Sequence, residues 1–485
     1  MRSCARSFVM GSAALGLSAA ALLGQVPAAA AVSGCRTTGS DFDRDGTPDV
    51  AVGVPGAPGR GGAVRVRLSN EGKPVTATLT GAPGFGTAVT ALSSYAGSAN
   101  QELCGQLVVG SPDESDRTDR QRSGAVHVYY WRNGHFASRG TFHPQAQGVG
   151  GADQSGARFG AALAAEQRPA DASHPRSRLW VGAPGFDVAD GEVPGARDAG
   201  RVTSFWIDDD EDPLGHDTET FDYGDDFAPG RPTTGGRLGS SLSVDGGLVA
   251  MGAPGQTAQG VAGAGTVLVA LDDPRPDDFT VEELSQATRG VPGAPEKGDR
   301  FGASVHLVAQ AAQAPTLLVG APGEDLGRNT DAGLVTMARI SPASGRPVGT
   351  VRAFDQDSPE MAGSAGAGDG LGASVSSARH RGRLVFLAGS PGETVGGARN
   401  AGMVQTLGTG DGWTQDTRGI PGEAEAGDRM GAALGGSASS RPVVGIPGED
   451  DATGAVLVGL PADGPSVSYL RGATRGGRFG FSVGP

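Results

Sequence analysis

Several residue types are scarce in this chain of 485 residues, and each shortage excludes a class of protein. Aromatic residues make up only 5% of the sequence, whereas there are 84 glycines and 32 prolines. Glycine and proline destabilise helices, so this composition excludes a helical bundle. The hydrophobic fraction of 38% and the length still allow a large core, which argues against general disorder.

Basic charge and catalytic histidine patterns are also limited. The only lysines are Lys73 and Lys297, and the formal net charge is −14. An acidic surface repels a phosphate backbone, so we expect no nucleic-acid partner. The seven histidines form no His-Glu-x-x-His or His-x-x-x-His pattern, which argues against a zinc protease, and we interpret them as scattered surface or strand residues.

Residues 1–31 resemble an export signal, with basic residues, a short apolar run and alanines that offer a cleavage site. We therefore expect a signal peptide (1–31), one mature domain (32–485) and a secreted protein without a transmembrane segment. Cleavage leaves Cys35 and Cys104, and an even number of cysteines in an exported chain favours a disulfide. Because the four residues ending at Cys35 (VSGC) resemble a lipobox, a lipid anchor at this cysteine is the alternative.

The most informative stretch near the start reads DFDRDGTPDVAVGVP. It supplies acids at positions 1, 3, 5 and 9 of a D-x-D-x-D-G-x-x-D loop and a carbonyl at position 7: Asp41, Asp43, Asp45, Asp49 and Thr47. Calcium takes about 6–8 oxygen ligands and tolerates flexible loops, so these residues are candidate calcium ligands. An EF-hand would need a bidentate glutamate where Val52 stands, and an apolar strand-like run follows instead of a helix. Surface acids that share this spacing by chance are the remaining alternative.

The rest of the chain is a repeat with two motifs. An aliphatic run ending in Gly-x-Pro occurs seven times, at intervals of 56–72 residues, which suits one small sheet per repeat. Its prolines are Pro55, Pro112, Pro184, Pro254, Pro322, Pro391 and Pro447. The second motif is a large apolar residue, a glycine, two mostly small residues and an aliphatic residue. Its first residues are Phe85, Phe159, Leu238, Phe301, Leu371, Met430 and Phe479.

Runs of small residues are usually loops, but all seven copies of the second motif end in valine or leucine. Small side chains suit the innermost strands of a propeller, where the sheets converge on an axis. A third strand and a weaker fourth segment follow each Gly-x-Pro, giving four strands per repeat. The first repeat lacks the second motif, and the copy at 479–483 has nothing after it. We therefore predict an all-β, seven-bladed β-propeller in which strands from both ends complete one blade and remove its open edges.

Paired Phe-Gly and Gly-Ala-Pro motifs with the acidic loop resemble the FG-GAP repeats of the integrin alpha-chain β-propeller and its secreted bacterial relatives, over essentially all of 32–485. The resemblance implies a seven-bladed propeller with Ca²⁺ in hairpin loops between the first two strands of a blade. That role falls on the five loop residues named above. The chain has one complete calcium loop rather than several, and it has no Arg-Gly-Asp, stalk domains or transmembrane helix. Only the fold and a binding role therefore carry over.

Other acids in the sequence have simpler interpretations. Asp299, Asp369 and Asp428 each stand two residues before a second motif, where an aspartate caps a turn by accepting backbone N–H groups. The contiguous acids at 113–116 and 208–212 lack the calcium spacing, and we interpret them as solvated loop charge.

The predicted strand order places the calcium loop on the face that carries the first-to-second strand loops. The longest variable loops, 113–124, 186–200 and 225–236, belong mostly to the opposite face, where binding is expected. The predicted function is a secreted, calcium-stabilised, monomeric module that binds or adheres to an extracellular protein or glycan. The alternative is an extracellular hydrolase whose catalytic carboxylates come from different blades and meet at the propeller axis. Enzyme status stays open, with a binding role favoured.

Overall fold

The computed structural model describes most of the chain from residue 39 onward. The described residues are 39–56, 60–69, 75–92, 105–115, 122–146, 149, 153–166, 176–190, 193–208, 215–225, 228–271, 281–310, 313–461 and 467–484. The predicted signal peptide and both cysteines of the predicted disulfide, Cys35 and Cys104, lie outside them.

Seven four-stranded antiparallel sheets follow one another along the described chain. The first blade contains β1 (Val50–Val54), β2 (Gly61–Leu68) and β3 (Val75–Pro83), and the second contains β4 (Ala88–Leu92), β5 (Gln106–Ser111), β6 (Ala125–Arg132) and β7 (His135–Phe142). The third contains β8 (Ala162–Glu166), β9 (Arg176–Ala183), β12 (Arg201–Asp208) and β13 (Gly215–Phe221), with a separate hairpin of β10 (Val188–Asp190) and β11 (Val193–Ala196) between β9 and β12.

The remaining blades keep the same order. The fourth contains β14 (Ser241–Asp245), β15 (Leu248–Ala253), β16 (Thr266–Leu271) and β17 (Val281–Leu284), and the fifth contains β18 (Ser304–Gln310), β19 (Gln313–Ala321), β20 (Leu334–Ile340) and β21 (Pro347–Phe354). The sixth contains β22 (Ser374–His380), β23 (Arg383–Ser390), β24 (Met403–Thr406) and β25 (Gly412–Trp413), and the seventh contains β26 (Ala433–Gly435), β27 (Val443–Ile446), β28 (Ala455–Val458) and β29 (Ser468–Arg471).

The last strand, β30 (Ser482–Val483), completes the first blade. It pairs antiparallel with β1, with Val52 opposite Val483 and Gly53 opposite Ser482. The first blade therefore reads β30, β1, β2, β3 from the inside outward. The predicted seven-bladed propeller and its closure by strands from both ends are confirmed.

Hydrophobic packing is concentrated at the boundaries between blades. The described residues form seven buried clusters, and each joins two adjacent blades around the ring, including blades seven and one. At the last boundary, Phe479 packs with Val50 and Val52 of blade one and with Val443 and Val456 of blade seven. Each blade is thus stabilised by burial against both neighbours, so closing the ring contributes a full boundary of buried apolar surface.

The two repeated motifs exist because adjacent blades approach very closely at their glycines. A Cβ atom on Gly110, in a Gly-x-Pro motif, would lie 2.0 Å from the carbonyl oxygen of Gly160, in the second motif of the next blade. Gly160 itself has φ +90°, a conformation that side chains disfavour. The residue before it, Phe159, is 1% exposed and donates its N–H to the carbonyl of Ser123 at 2.8 Å. The motifs therefore anchor each blade to the preceding one.

Helical structure is almost absent from the described residues. The only helix there is α1 (Glu449–Ala452), in which Asp450 and Asp451 have positive φ, so it is better regarded as a turn. No helix in this part of the chain is long and apolar enough to cross a membrane.

Candidate metal site and binding faces

The acidic loop leads directly into β1 and is held by its neighbours. Phe42 is 1% exposed and packs edge-to-face on Phe136 of blade two, with ring centroids 5.8 Å apart. A Cβ atom on Gly105 would lie 2.4 Å from the carbonyl oxygen of Asp41, so this glycine permits close contact between the loop and blade two. In space the loop lies where β30 ends and β1 begins, which is the predicted position between the first two strands of a blade.

Two buried aspartates organise the loop backbone. Asp41 accepts the N–H groups of Asp45 (3.1 Å) and Gly46 (2.8 Å), one on each carboxylate oxygen. Asp49 accepts the N–H groups of Phe42 (2.8 Å) and Ser69 (2.7 Å). The chain turns sharply here, because Gly46 has φ +91°. Both aspartates therefore fix the loop geometry, in addition to being candidate ligands of a cation.

The loop brings three of the four predicted carboxylates together. One ligand oxygen from each of Asp41, Asp43 and Asp49 lies within 4.8 Å of the other two. Asp45 is not in this group, and its carboxylate accepts the N–H of Thr47 at 2.8 Å. Asp43 makes the weakest internal contact, accepting the N–H of Asp45 at 3.3 Å.

The electrostatics of the three carboxylates fit a bound cation. Burial raises the pKa of Asp49 to about 7 and also raises the pKa values of Asp41 and Asp43, and the neighbouring acids add to each shift. Three crowded carboxylates are the hard oxygen ligands that Ca²⁺ prefers, and a divalent cation would offset their mutual repulsion. The donor set fits calcium, and the five-residue ligand set stays a prediction.

The first strands of the blades surround an axial cavity of about 560 Å³. Gly39 and Ser40, just before the acidic loop, line its mouth, so the loop and this mouth share one face. Asp245 and His306 line the cavity, and the Nε2 atom of His306 lies 2.9 Å from the Oγ atom of Ser377. Burial lowers the pKa of His306 to about 4, which leaves the imidazole neutral at physiological pH.

On the opposite face, the predicted turn caps are confirmed. One carboxylate oxygen of Asp299 accepts the N–H of Glu296 at 2.5 Å, and Asp369 and Asp428 each accept the N–H three residues earlier at 2.6 Å. Burial, as the largest cause, raises the pKa values of Asp299 and Asp428 to about 6.

The structure also reveals buried or half-buried pairs on this face that the sequence reasoning missed. In three successive blades a glutamine Nε2 atom donates to a glutamate of the next blade at 2.6 Å: Gln286 to Glu324, Gln356 to Glu393 and Gln415 to Glu449. Each glutamine stands thirteen residues before a capping aspartate, and that recurring spacing was the available signal.

The interpretation of one acid needs correction. Glu114, assigned to solvated loop charge, is largely buried, and its carboxylate contacts the Nε2 atom of His127 at 2.8 Å. Burial is the largest single influence and raises the pKa of Glu114, but the His127 contact, a hydrogen bond from Ser111 and the nearby His143 together outweigh it and lower this pKa. The interpretation of the histidines as surface or strand residues holds for His127 in β6 and for His306 in β18, which also lines the cavity. The acids at 209–212 lie outside the described residues.

One apparent nucleophile motif has a structural role. Residues 480–484 match Gly-x-Ser-x-Gly, but Ser482 lies in β30 rather than on a strand-to-helix turn. Its hydroxyl donates to the carbonyl of Gly86 in blade two at 2.8 Å. The serine therefore helps to tie the closing strand to the next blade.

The fold and the acidic loop define the class of protein, a seven-bladed β-propeller with a three-carboxylate loop beside its closing blade. The family model described as FG-GAP repeat matches residues 37–67, which include the acidic loop and β1. This match and the seven blades are consistent with an FG-GAP propeller, as the sequence motifs indicated. No curated protein matches the chain.

Proposed function

We propose that this protein is a secreted, calcium-stabilised binding module whose metal is structural and whose ligand, an extracellular protein or glycan, binds on the opposite face. FG-GAP propellers are commonly extracellular binding modules, which supports the general role. The observation that carries the proposal is the separation of the two faces. The cluster of three carboxylates lies at the end of the propeller where the first strands of the blades end. The loops 113–124, 186–200 and 225–236 connect strands at the opposite end.

A rigid scaffold with variable loops on one face suits recognition. The second-to-third strand loop of blade three contains its own hairpin, in which Val188 pairs with Ala196. Val188 and Ala196 are both buried in the cluster between blades two and three. This loop is therefore preorganised by packing, and preorganisation lowers the entropic cost of binding a ligand.

The hydrolase alternative has less support from the axial cavity. A carboxylate pair would be needed there, and Asp245 is the only acid among the described lining residues. Its carboxylate accepts the N–H of Ala309 at 2.7 Å. The nearby His306–Ser377 contact resembles a base and a nucleophile, but an imidazole with a pKa of about 4 is a weak general base near neutral pH.

The test measures metal and ligand binding separately. Ca²⁺ at 100 times its Kd adds about 2.7 kcal/mol to the free energy of unfolding, so calcium should raise the melting temperature by a few degrees. Asp43→Ala with Asp45→Ala should abolish that rise. Glu423→Ala, which removes an exposed acid on the other face, is the matched control and should keep it.

Ligands would be found by screening glycans and surface proteins with and without chelator, well below the melting temperature. The Asp43/Asp45 double variant should bind the ligand as tightly as the parent protein does. A large loss of affinity in a still-folded variant would place the metal in the binding site. An unchanged calcium response in that variant would remove the loop as the metal site.

A further inference from the structure

The turn before each second motif carries an unexpected residue type. In all seven blades the residue before the large apolar residue has a positive φ, which favours glycine and costs other residues about 1–2 kcal/mol. The chain has 39 basic residues, two of them lysines, so chance would place fewer than one arginine in seven such positions. Five are arginines and two are glycines: Arg158, Arg237, Arg300, Arg429, Arg478, Gly84 and Gly370.

The five arginines form an incomplete ring on one face of the propeller. Each occupies the same position in its blade, immediately before the first strand, at the end opposite to the acidic loop. All five are exposed. The preceding blade holds the backbones of the two arginines nearest the closing blade, since the N–H of Arg429 donates to Asn400 at 3.0 Å and that of Arg478 donates to Ala452 at 2.9 Å.

Between the turns of blades seven and one, two of these arginines line a pocket of about 330 Å³ with Phe481. The six other copies of the motif have threonine, alanine or serine where Phe481 stands. The Phe481 side chain is 40% exposed and is one of three exposed large hydrophobic side chains among the described residues. Neither the closure of the first blade nor burial in the core explains why a phenylalanine stands at position 481.

The guanidinium groups of this pocket are available to a ligand. The neighbouring acids are already paired, Asp450 with Arg471 at 2.8 Å and Asp451 with Arg475 at 2.9 Å. Arg429 and Arg478, by contrast, make no side-chain hydrogen bond or ion pair within the described chain.

We propose that Arg429, Arg478 and Phe481 form a subsite for an acidic polysaccharide, a uronate-containing glycan. Of the remaining ring arginines, Arg300 already pairs with Asp331 at 3.1 Å, so Arg158 and Arg237 are the ones that extend the contact around the same face. Guanidinium groups bind carboxylates through paired hydrogen bonds, and an exposed aromatic ring packs on the apolar face of a sugar. A sheet edge or a groove holds an extended peptide. Turns line this pocket instead, so it does not suit an extended peptide. The net charge of −14 does not prevent this contact, because physiological salt screens charges beyond about 8 Å.

This inference rests on the proposed binding function and names its site and ligand class. The test is calorimetry at physiological salt with four probes: a uronic acid tetrasaccharide, its methyl-esterified neutral form, a sulfated tetrasaccharide and a tetraglutamate peptide. Arg429→Gly with Arg478→Gly copies the turns that blades two and six already use, so the variant should fold. Phe481→Ala copies the alanine that four of the six other copies of the motif have at this position.

The control is Arg381→Gly, which makes the same change at a positive φ on the tip of the β22–β23 hairpin, on the opposite face. The uronate should bind the parent and the control, and should lose at least tenfold in affinity in the double glycine variant. Phe481→Ala should weaken glycan binding and leave any peptide binding unchanged.

Equal binding of the neutral form, tighter binding of the sulfated form or the peptide, or no effect of the glycine substitutions would overturn the inference. If another ligand from the screen binds while the uronate does not, the subsite assignment is wrong and the general binding role stands. If no ligand binds at all, both proposals are wrong.

Discussion

Replacing Glu324 by glutamine should stabilise the protein at alkaline pH. Glu324 is 7% exposed and accepts the Nε2 atom of Gln286 at 2.6 Å, while the Oε1 atom of this glutamine is buried without a partner in the described structure. Burial, followed by nearby acids such as Asp299, raises the pKa of Glu324 to about 7. The folded state therefore binds more protons than the unfolded state between pH 4.5 and 7, so the free energy of unfolding falls as pH rises through this window.

The magnitude follows from the size of the shift. A rise from 4.5 to about 7 corresponds to about 3 kcal/mol, and solvent screening reduces the expected effect to about 1–2 kcal/mol. A glutamine at position 324 stays neutral, and its amide N–H₂ group can donate to the unpartnered oxygen of Gln286. The Glu324→Gln variant should therefore match the parent near pH 4.5 and exceed its unfolding free energy by about 1–2 kcal/mol at pH 8.

Urea denaturation at several values between pH 4.5 and 8.5 measures this difference. The matched control is Glu423→Gln, the same chemical change at an exposed glutamate on the same face, which should leave the pH dependence unaltered. The reasoning is refuted if Glu324→Gln parallels the parent across the whole range, or if it is the less stable protein at pH 8.

Three further predictions concern the ends of the chain. Mass spectrometry of the exported protein should show an N-terminus near residue 32 and no lipid, and a diacylglyceryl mass on Cys35 would contradict this. Cys35 and Cys104 should form a disulfide worth about 4 kcal/mol, because Gly105 packs against the acidic loop; two thiols titrating in denatured, unreduced protein would contradict it. Deleting 478–485 should cause aggregation or loss of cooperative folding, because it removes β30 and buried Phe479; an unchanged melting temperature would show that closure is dispensable.

The sequence predicted those features whose residues are local or repeated. The spacing within 41–49 predicted converging carboxylates, because side chains a few residues apart in a tight turn lie close together; Asp41, Asp43 and Asp49 do converge, and Asp45 does not. Asp299 was identified as a turn cap for the same reason, since its partner Glu296 is three residues away. Seven copies of each motif gave the blade count, because every blade solves the same packing problem at its glycines.

Contacts between blades were predicted poorly because they join residues that are distant in sequence. Gln286 and Glu324 are 38 residues apart, and His306 and Ser377 are 71 apart. Only the arrangement of strands around the axis brings them together. The hairpin formed by β10 and β11 was also missed, because its short strands are stabilised by burial against neighbouring blades rather than by local propensity.

Departures from the repeat are more informative about binding than the repeat itself. A residue found in every blade, such as the glycine of the second motif, is explained by the backbone approach that every boundary requires. Phe481 occupies a position where the other blades have small residues, and its exposure removes a packing explanation. Arg429 and Arg478 do follow the repeat, since five blades have arginine at this position, but they adopt a backbone conformation that Gly84 and Gly370 adopt more easily. Residues that cost stability without improving packing are candidates for contact with a ligand, which is why we propose recognition beside the closing blade.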